Sequence, residues 1–270
     1  MRICLVFLFC VFSIHLYAVE PIKKYIDHPG NSSFKFEALE IKTKDDFALK
    51  TWITFPTTEN DLHRTLILAY GDSGNMSYYV RQVLEVVNQG YTVVMFDYRG
   101  FGESQAFEVS KDTLYYDAFT TDLQAVLDYT KKRFDTPIGI WALSMGTIYA
   151  VELYSMDTYD YLIAEGFVSN PKKVVEVVKE HLNRDLLIPD SVDKYELALS
   201  KLTLPVLFFA GDRDGLTSPE ASYRAKYLNE KNEVVLFKGG HLQGFQALSD
   251  EYHGQRYIEA INAFYVSVFP

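Results

Sequence analysis

The chain has 270 residues, 48% of them apolar and 15% aromatic, which suits one α/β domain with a large core and excludes a disordered or collagen-like chain. Its formal charge is −10, from 26 basic and 36 acidic residues, and loss of residues 1–18 would delete only Arg2, leaving 25 − 36 = −11. An acidic protein with no block of Lys and Arg repels phosphate backbones and anionic lipid surfaces, so nucleic-acid binding is not expected.

The amino terminus reads as an export signal. Arg2 precedes an uncharged run over residues 3–19, and Leu16-Tyr17-Ala18 ends on a small residue before Val19-Glu20-Pro21. This is the pattern of a secretory signal peptide over residues 1–18. The expected location is periplasmic or secreted, with no stable membrane association after cleavage. The alternative is an uncleaved membrane anchor, since the run approaches spanning length, although His15 and Tyr17 thin its apolar end. Both cysteines, Cys4 and Cys10, lie in this segment, so the cleaved chain has no thiol for a disulfide, a zinc-thiolate site or a nucleophile. Phe9 stands before Cys10, where a lipid-attachment signal usually has a small residue.

Residues 34–43 and 47–55 predict two strands joined by the turn-like Lys44-Asp45-Asp46, a leading hairpin. Residues 65–69, 91–96, 137–142, 161–168, 205–210 and 233–237 are short apolar runs, suited to strands buried on both faces. Helical spacing lies between them, most clearly at Leu114, Ala118, Phe119, Leu123, Val126 and Leu127, followed by Lys131-Lys132-Arg133. A closing helix is predicted from Tyr257 through Ile258, Ile261, Phe264 and Tyr265 to Val268. Alternating strands and helices predict a mostly parallel central sheet with helices on both faces. No linker or repeat divides residues 19–270, so a single domain is expected. The longest excursion, about 170–201, carries Val174, Val177, Val178, His181 and Leu182 at amphipathic spacing and predicts one helix plus a short tail, a small lid.

Trp141-Ala142-Leu143-Ser144-Met145-Gly146-Thr147 falls where an apolar strand ends and a helix begins. It resembles the nucleophile elbow of the α/β-hydrolases, in which a tight turn holds the serine in a strained conformation and demands small residues two before and two after it. Ala142 replaces the usual first glycine and is small enough for that place. A nucleophilic serine needs a base, and the base needs a carboxylate to orient it. In this superfamily the acid follows the serine and the histidine comes last. Gly211-Asp212-Arg213-Asp214-Gly215-Leu216-Thr217 follows a strand and resembles the family's acid loop. Asp214 fits the acid position, with Asp212 and Glu165 as competitors. Of six histidines, His241 directly follows the last strand. His15, His28, His63 and His181 lie in the signal, before the strands, before the third strand and in the lid, and His253 is the fallback.

Acyl transfer also needs backbone donors for the developing oxyanion, one after the nucleophile and one after the third strand. Met145 supplies the first. Tyr70-Gly71-Asp72-Ser73-Gly74-Asn75 resembles the family's oxyanion loop, with the Asp72 amide as second donor. Many relatives have His-Gly before that residue and no carboxylate on it. A carboxylate pointing into the hole would oppose the oxyanion, so Asp72 is expected to turn away, toward the amides at the next helix start. Phe96-Asp97-Tyr98-Arg99-Gly100-Phe101-Gly102 follows the fourth strand and reads as structural. Its Gly-x-Gly lacks the third glycine and the first-strand position of a dinucleotide turn.

The resemblance runs from about Thr65 to His241 and implies the α/β-hydrolase fold with a short helical lid. Within it, the chain is similar to small serine esterases, thioesterases and aminopeptidase-like hydrolases. The implied reaction is hydrolysis of an acyl ester or thioester of a small-molecule substrate through an acyl-serine, with Ser144, His241 and Asp214 as triad and no metal or organic cofactor. The alternatives are an aminopeptidase-like amide hydrolase, for which Glu165 or Asp185 would have to meet the substrate amine, and a non-catalytic binding protein on the same fold.

Overall fold

The computed structural model describes residues 18–154 and 156–270. Apart from Ala18, the predicted signal segment lies outside the described residues. Among the described residues the central sheet has eight strands: β1 (Phe36–Lys42), β2 (Ala48–Thr54), β3 (Arg64–Ala69), β4 (Tyr91–Phe96), β5 (Ile138–Leu143), β6 (Tyr161–Glu165), β7 (Val206–Gly211) and β8 (Glu233–Phe237). Their order across the sheet is β8-β7-β6-β5-β3-β4-β2-β1. β1 and β2 form the expected antiparallel hairpin, β2 is antiparallel to β4, and every other pairing is parallel.

The apolar runs become strands because helices cover both faces. Every residue of β4, β5, β6 and β7 is buried. β8 differs: it is the edge strand, and Leu236 there is 48% exposed. The prediction of burial on both faces fails for this strand because the run alone does not reveal its place at the sheet's edge among the described residues.

The helices are α1 (Val80–Asn88), α2 (Asp117–Arg133), α3 (Gly146–Tyr154), α4 (Pro171–Leu182), α5 (Tyr195–Ser200), α6 (Pro219–Lys226), α7 (Gly244–Ala247) and α8 (Gln255–Val268). α2 buries Phe119, Leu123, Val126 and Leu127, and its last turn carries Lys131, Lys132 and Arg133 against the negative end of the helix. α3 is apolar around nearly its whole girth and is correspondingly central. In the excursion, the Asn170 side chain accepts from the Lys173 amide to start α4, and Asn183 ends it in the left-handed region (φ 50°). The predicted tail after α4 holds a 3-10 turn, Asp190–Lys194, and α5. Among the described residues, no helix is long and apolar enough to cross a membrane.

Two segments earn their places as scaffold. Arg99, 2% exposed, bonds Asp122 (Nε to Oδ1, 2.8 Å) and Asp45 (Nη1 to Oδ2, 2.6 Å), tying the turn after β4 to α2 and to the β1–β2 hairpin. Residues 18–26, before β1, are the second such segment. Ala18 and Val19 join the core, and Glu20–Pro21 pairs in parallel with Ser73–Gly74, a strand too short to be visible in a periodicity.

Candidate active site

Ser144 sits between β5 and α3 with φ +52°, a left-handed conformation that a non-glycine residue adopts only under local constraint. Its amide donates to the Glu165 carbonyl (2.8 Å), and its carbonyl accepts from the Thr147 amide (2.9 Å) and hydroxyl (2.6 Å). The small residues around it have steric reasons. A Cβ on Gly146 would come 1.9 Å from the Ala69 carbonyl oxygen, so only glycine allows α3 to start this close to β3. Ala142 lies in register between Ala69 of β3 and Ala164 of β6 and is fully buried.

The structure brings Ser144, His241 and Asp214 together. His241 Nε2 lies 2.8 Å from Ser144 Oγ, and His241 Nδ1 lies 2.8 Å from Asp214 Oδ2. A carboxylate can only accept, so it holds the imidazole proton on Nδ1 and leaves Nε2 to accept from the serine hydroxyl. Asp214 is itself fixed: the Leu216 and Thr217 amides donate to Oδ1 (2.9 Å each) and the Thr217 hydroxyl to Oδ2 (2.7 Å). Burial alone would raise its pKa, but the His241 and Thr217 bonds outweigh that and hold it below the ordinary carboxylate value.

The competing groups are engaged elsewhere. Asp212 accepts from the Gly239 amide (2.9 Å) in ordinary turn chemistry. Glu165 accepts from the Gly244 amide (2.6 Å), and burial pushes its pKa up to about 7. Asp185 pairs with Lys179 (2.6 Å) on the surface. The His253 ring packs 5.0 Å from Phe245. Sequence reasoning missed Gly166, at φ +64°, where a Cβ would stand 2.7 Å from His241 Cε1. The signal was there, a glycine directly after β6, but only the fold shows that the imbalance of space is filled by the imidazole.

The two expected oxyanion donors lie on opposite sides of Ser144 in the chain, Met145 at the start of α3 and Asp72 in the loop whose Gly71 rests against the serine, 3.4 Å from Ser144 Cβ to a Cβ built on Gly71. The expectation that Asp72 turns toward the next helix start fails. Those amides are already taken, Met76 by Asp97 Oδ1 (2.8 Å) and Ser77 by Asn75 Oδ1 (3.0 Å). Burial raises the Asp72 carboxyl from 3.8 to about 6, with Glu20 adding to the rise and its own backbone amide and His241 opposing it. The carboxyl is thus held by its own backbone amide and lies within electrostatic reach of His241.

Comparisons with known proteins agree with this fold. The structure of the Pyrococcus furiosus esterase Pf2001 superposes with a TM-score of 0.73 at 20% identity, covering 93% of this chain and 98% of that one. The chain is an α/β-hydrolase-fold protein. Est1E from Butyrivibrio proteoclasticus, solved with ferulic acid bound, gives a TM-score of 0.64 at 21% identity over 86% of this chain and 99% of that one. A family model described as serine aminopeptidase, S33, matches residues 61–177, a span that contains Ser144 and the 71–75 loop and stops before Asp214 and His241. The uncharacterized protein YfhR of Escherichia coli K12 is 24% identical over 88% of this chain and 83% of its own length. The mouse lysophosphatidylserine lipase ABHD12 is 31% identical over 42% of this chain and 32% of its own. Among the described residues, no group of three or more His, Cys, Asp or Glu side chains could hold a metal ion.

Proposed function

We propose that the protein is an exported serine hydrolase that cleaves an acyl ester or thioester of a small-molecule substrate through an acyl-serine intermediate. The observation that carries this reading is the unbroken chain of 2.8 Å contacts from Asp214 through His241 to Ser144. Ser144 Oγ attacks the acyl carbon while His241 Nε2 takes its proton, and the amides of Met145 and Asp72 receive the oxyanion. The same imidazole then returns the proton to the leaving alcohol or thiol. Asp214 holds the tautomer and stabilises the imidazolium. Water, activated by His241, releases the acid and regenerates the serine.

Amide hydrolysis of the aminopeptidase kind is the second reading. It is favoured by the family description, and the Asp72 carboxyl, within electrostatic reach of His241, could meet a substrate amine where Glu165 and Asp185 are engaged elsewhere. Labelling of the purified protein with a fluorophosphonate probe, wild type against Ser144→Ala, tests the serine chemistry. Labelling lost in the variant is the expected result, and an unlabelled but folded wild type would refute it. A panel of acyl esters and aminoacyl amides then separates the two readings.

A further inference from the structure

The loop that carries the Asp72 amide has little to hold it from within. It leaves β3 at Ala69 and reaches the next 3-10 turn at Met76, with Gly74 at φ +88° between. What fixes it comes from the chain before the first sheet strand. The Glu20 amide donates to the Asp72 carbonyl (2.8 Å) and the Ile22 amide to the Gly74 carbonyl (2.9 Å). Asn75 Nδ2 donates to the carbonyls of Ile22 (2.8 Å) and Lys24 (3.0 Å), and the Ile26 amide donates to Ser77 Oγ (2.9 Å). These bonds grip the loop along its whole outer edge.

The inner edge rests on one buried carboxylate. Asp97 Oδ1 accepts from the Met76 amide (2.8 Å) and the Tyr70 hydroxyl (3.1 Å), the two residues that bracket the loop. Its other oxygen accepts from the Tyr25 hydroxyl (2.6 Å), and the Glu103 amide donates back to that hydroxyl (3.2 Å). The leading segment thus reaches the loop twice, directly by main-chain pairing and indirectly through Tyr25 and Asp97. We propose that residues 20–26 are a positioning strap for the oxyanion loop, with Tyr25 the positioning residue that sets Asp97 and thereby the place of the Asp72 amide. The proposal rests on the serine hydrolase reading above. An oxyanion donor acts only where the transition-state oxygen will be, so a displacement of a fraction of an ångström is felt in turnover and little in substrate binding.

Tyr25→Phe removes the phenolic donor, and Ile22→Pro removes the main-chain donor to Gly74 in a segment that is already extended. Rates are taken per active site, titrated with the fluorophosphonate probe, so that unfolded protein does not enter. Each variant is expected to lower kcat about ten- to a hundredfold with KM nearly unchanged. The inhibition constant for a trifluoromethyl ketone, whose adduct with Ser144 carries a tetrahedral oxyanion, rises by the same factor. If wild type turns over and both variants keep its kcat per site and its ketone affinity, the strap is merely structural and the proposal falls. A rise in KM at constant kcat would also overturn it, by making the strap a substrate contact. A wild type that neither labels nor turns over removes the hydrolase reading and the proposal with it.

Discussion

Asp72→Asn exposes the cost of burying a carboxyl on the 71–75 loop. Burial lifts this group from 3.8 to about 6, with Glu20 assisting and the Asp72 amide and His241 resisting. A raised carboxyl pKa means that the folded state prefers the proton. The associated stability is complete below the unfolded value, is lost as pH climbs through the interval from 3.8 to about 6, and stays lost above it. At about 1.36 kcal/mol per pH unit, the full interval corresponds to at most about 3 kcal/mol. Asparagine has the same shape and no charge, so its stability relative to wild type should improve with pH. Between about pH 4.5 and about pH 8 the gain should be about 2 kcal/mol, read from urea denaturation of both proteins at each pH. A stability difference that is flat or shrinks as pH rises would refute the argument.

Further outcomes follow from the same geometry. Asp214→Asn should lower kcat by about four orders of magnitude through loss of the tautomer, whereas Asp212→Asn, which meets the Gly239 amide and the Arg213 side chain, should leave esterase kcat near wild type. Gly166→Ala places a methyl 2.7 Å from His241 Cε1 in a left-handed backbone. It should reduce probe labelling at least tenfold and destabilise the fold by about 1–3 kcal/mol in chemical denaturation. Arg99→Ala strands the fully buried Asp122 without its cation and should cost about 3–5 kcal/mol, measured as a fall in the denaturation midpoint.

Much of the fold was legible because its signals are local. The continuous apolar runs of β4, β5 and β7 suit strands buried on both faces, and the alternation with α2 and α8 leaves a parallel sheet as the natural packing. Ser144, Asp214 and His241 were legible for a related reason: chain order fixes which strand end each one follows, and the sheet gathers those ends. The exposure of β8 was not legible, since an edge is a property of neighbours. The strap at Glu20–Pro21 escaped because two residues carry no period, and its hold on the 71–75 loop is mostly main chain. The Asp72 side chain was misplaced because the helix-start amides it was expected to meet are claimed by Asn75 and Asp97, a competition settled only in three dimensions.

The central claim is that Ser144 becomes acylated during turnover. Rapid mixing of the purified protein with a p-nitrophenyl ester, acid quenching and mass mapping of the peptide containing Ser144 test it directly. The account predicts a p-nitrophenol burst and an acyl mass on Ser144 that decays as product acid appears, both absent in Ser144→Ala. Turnover without an adduct on Ser144, or with turnover retained in the variant, would contradict it.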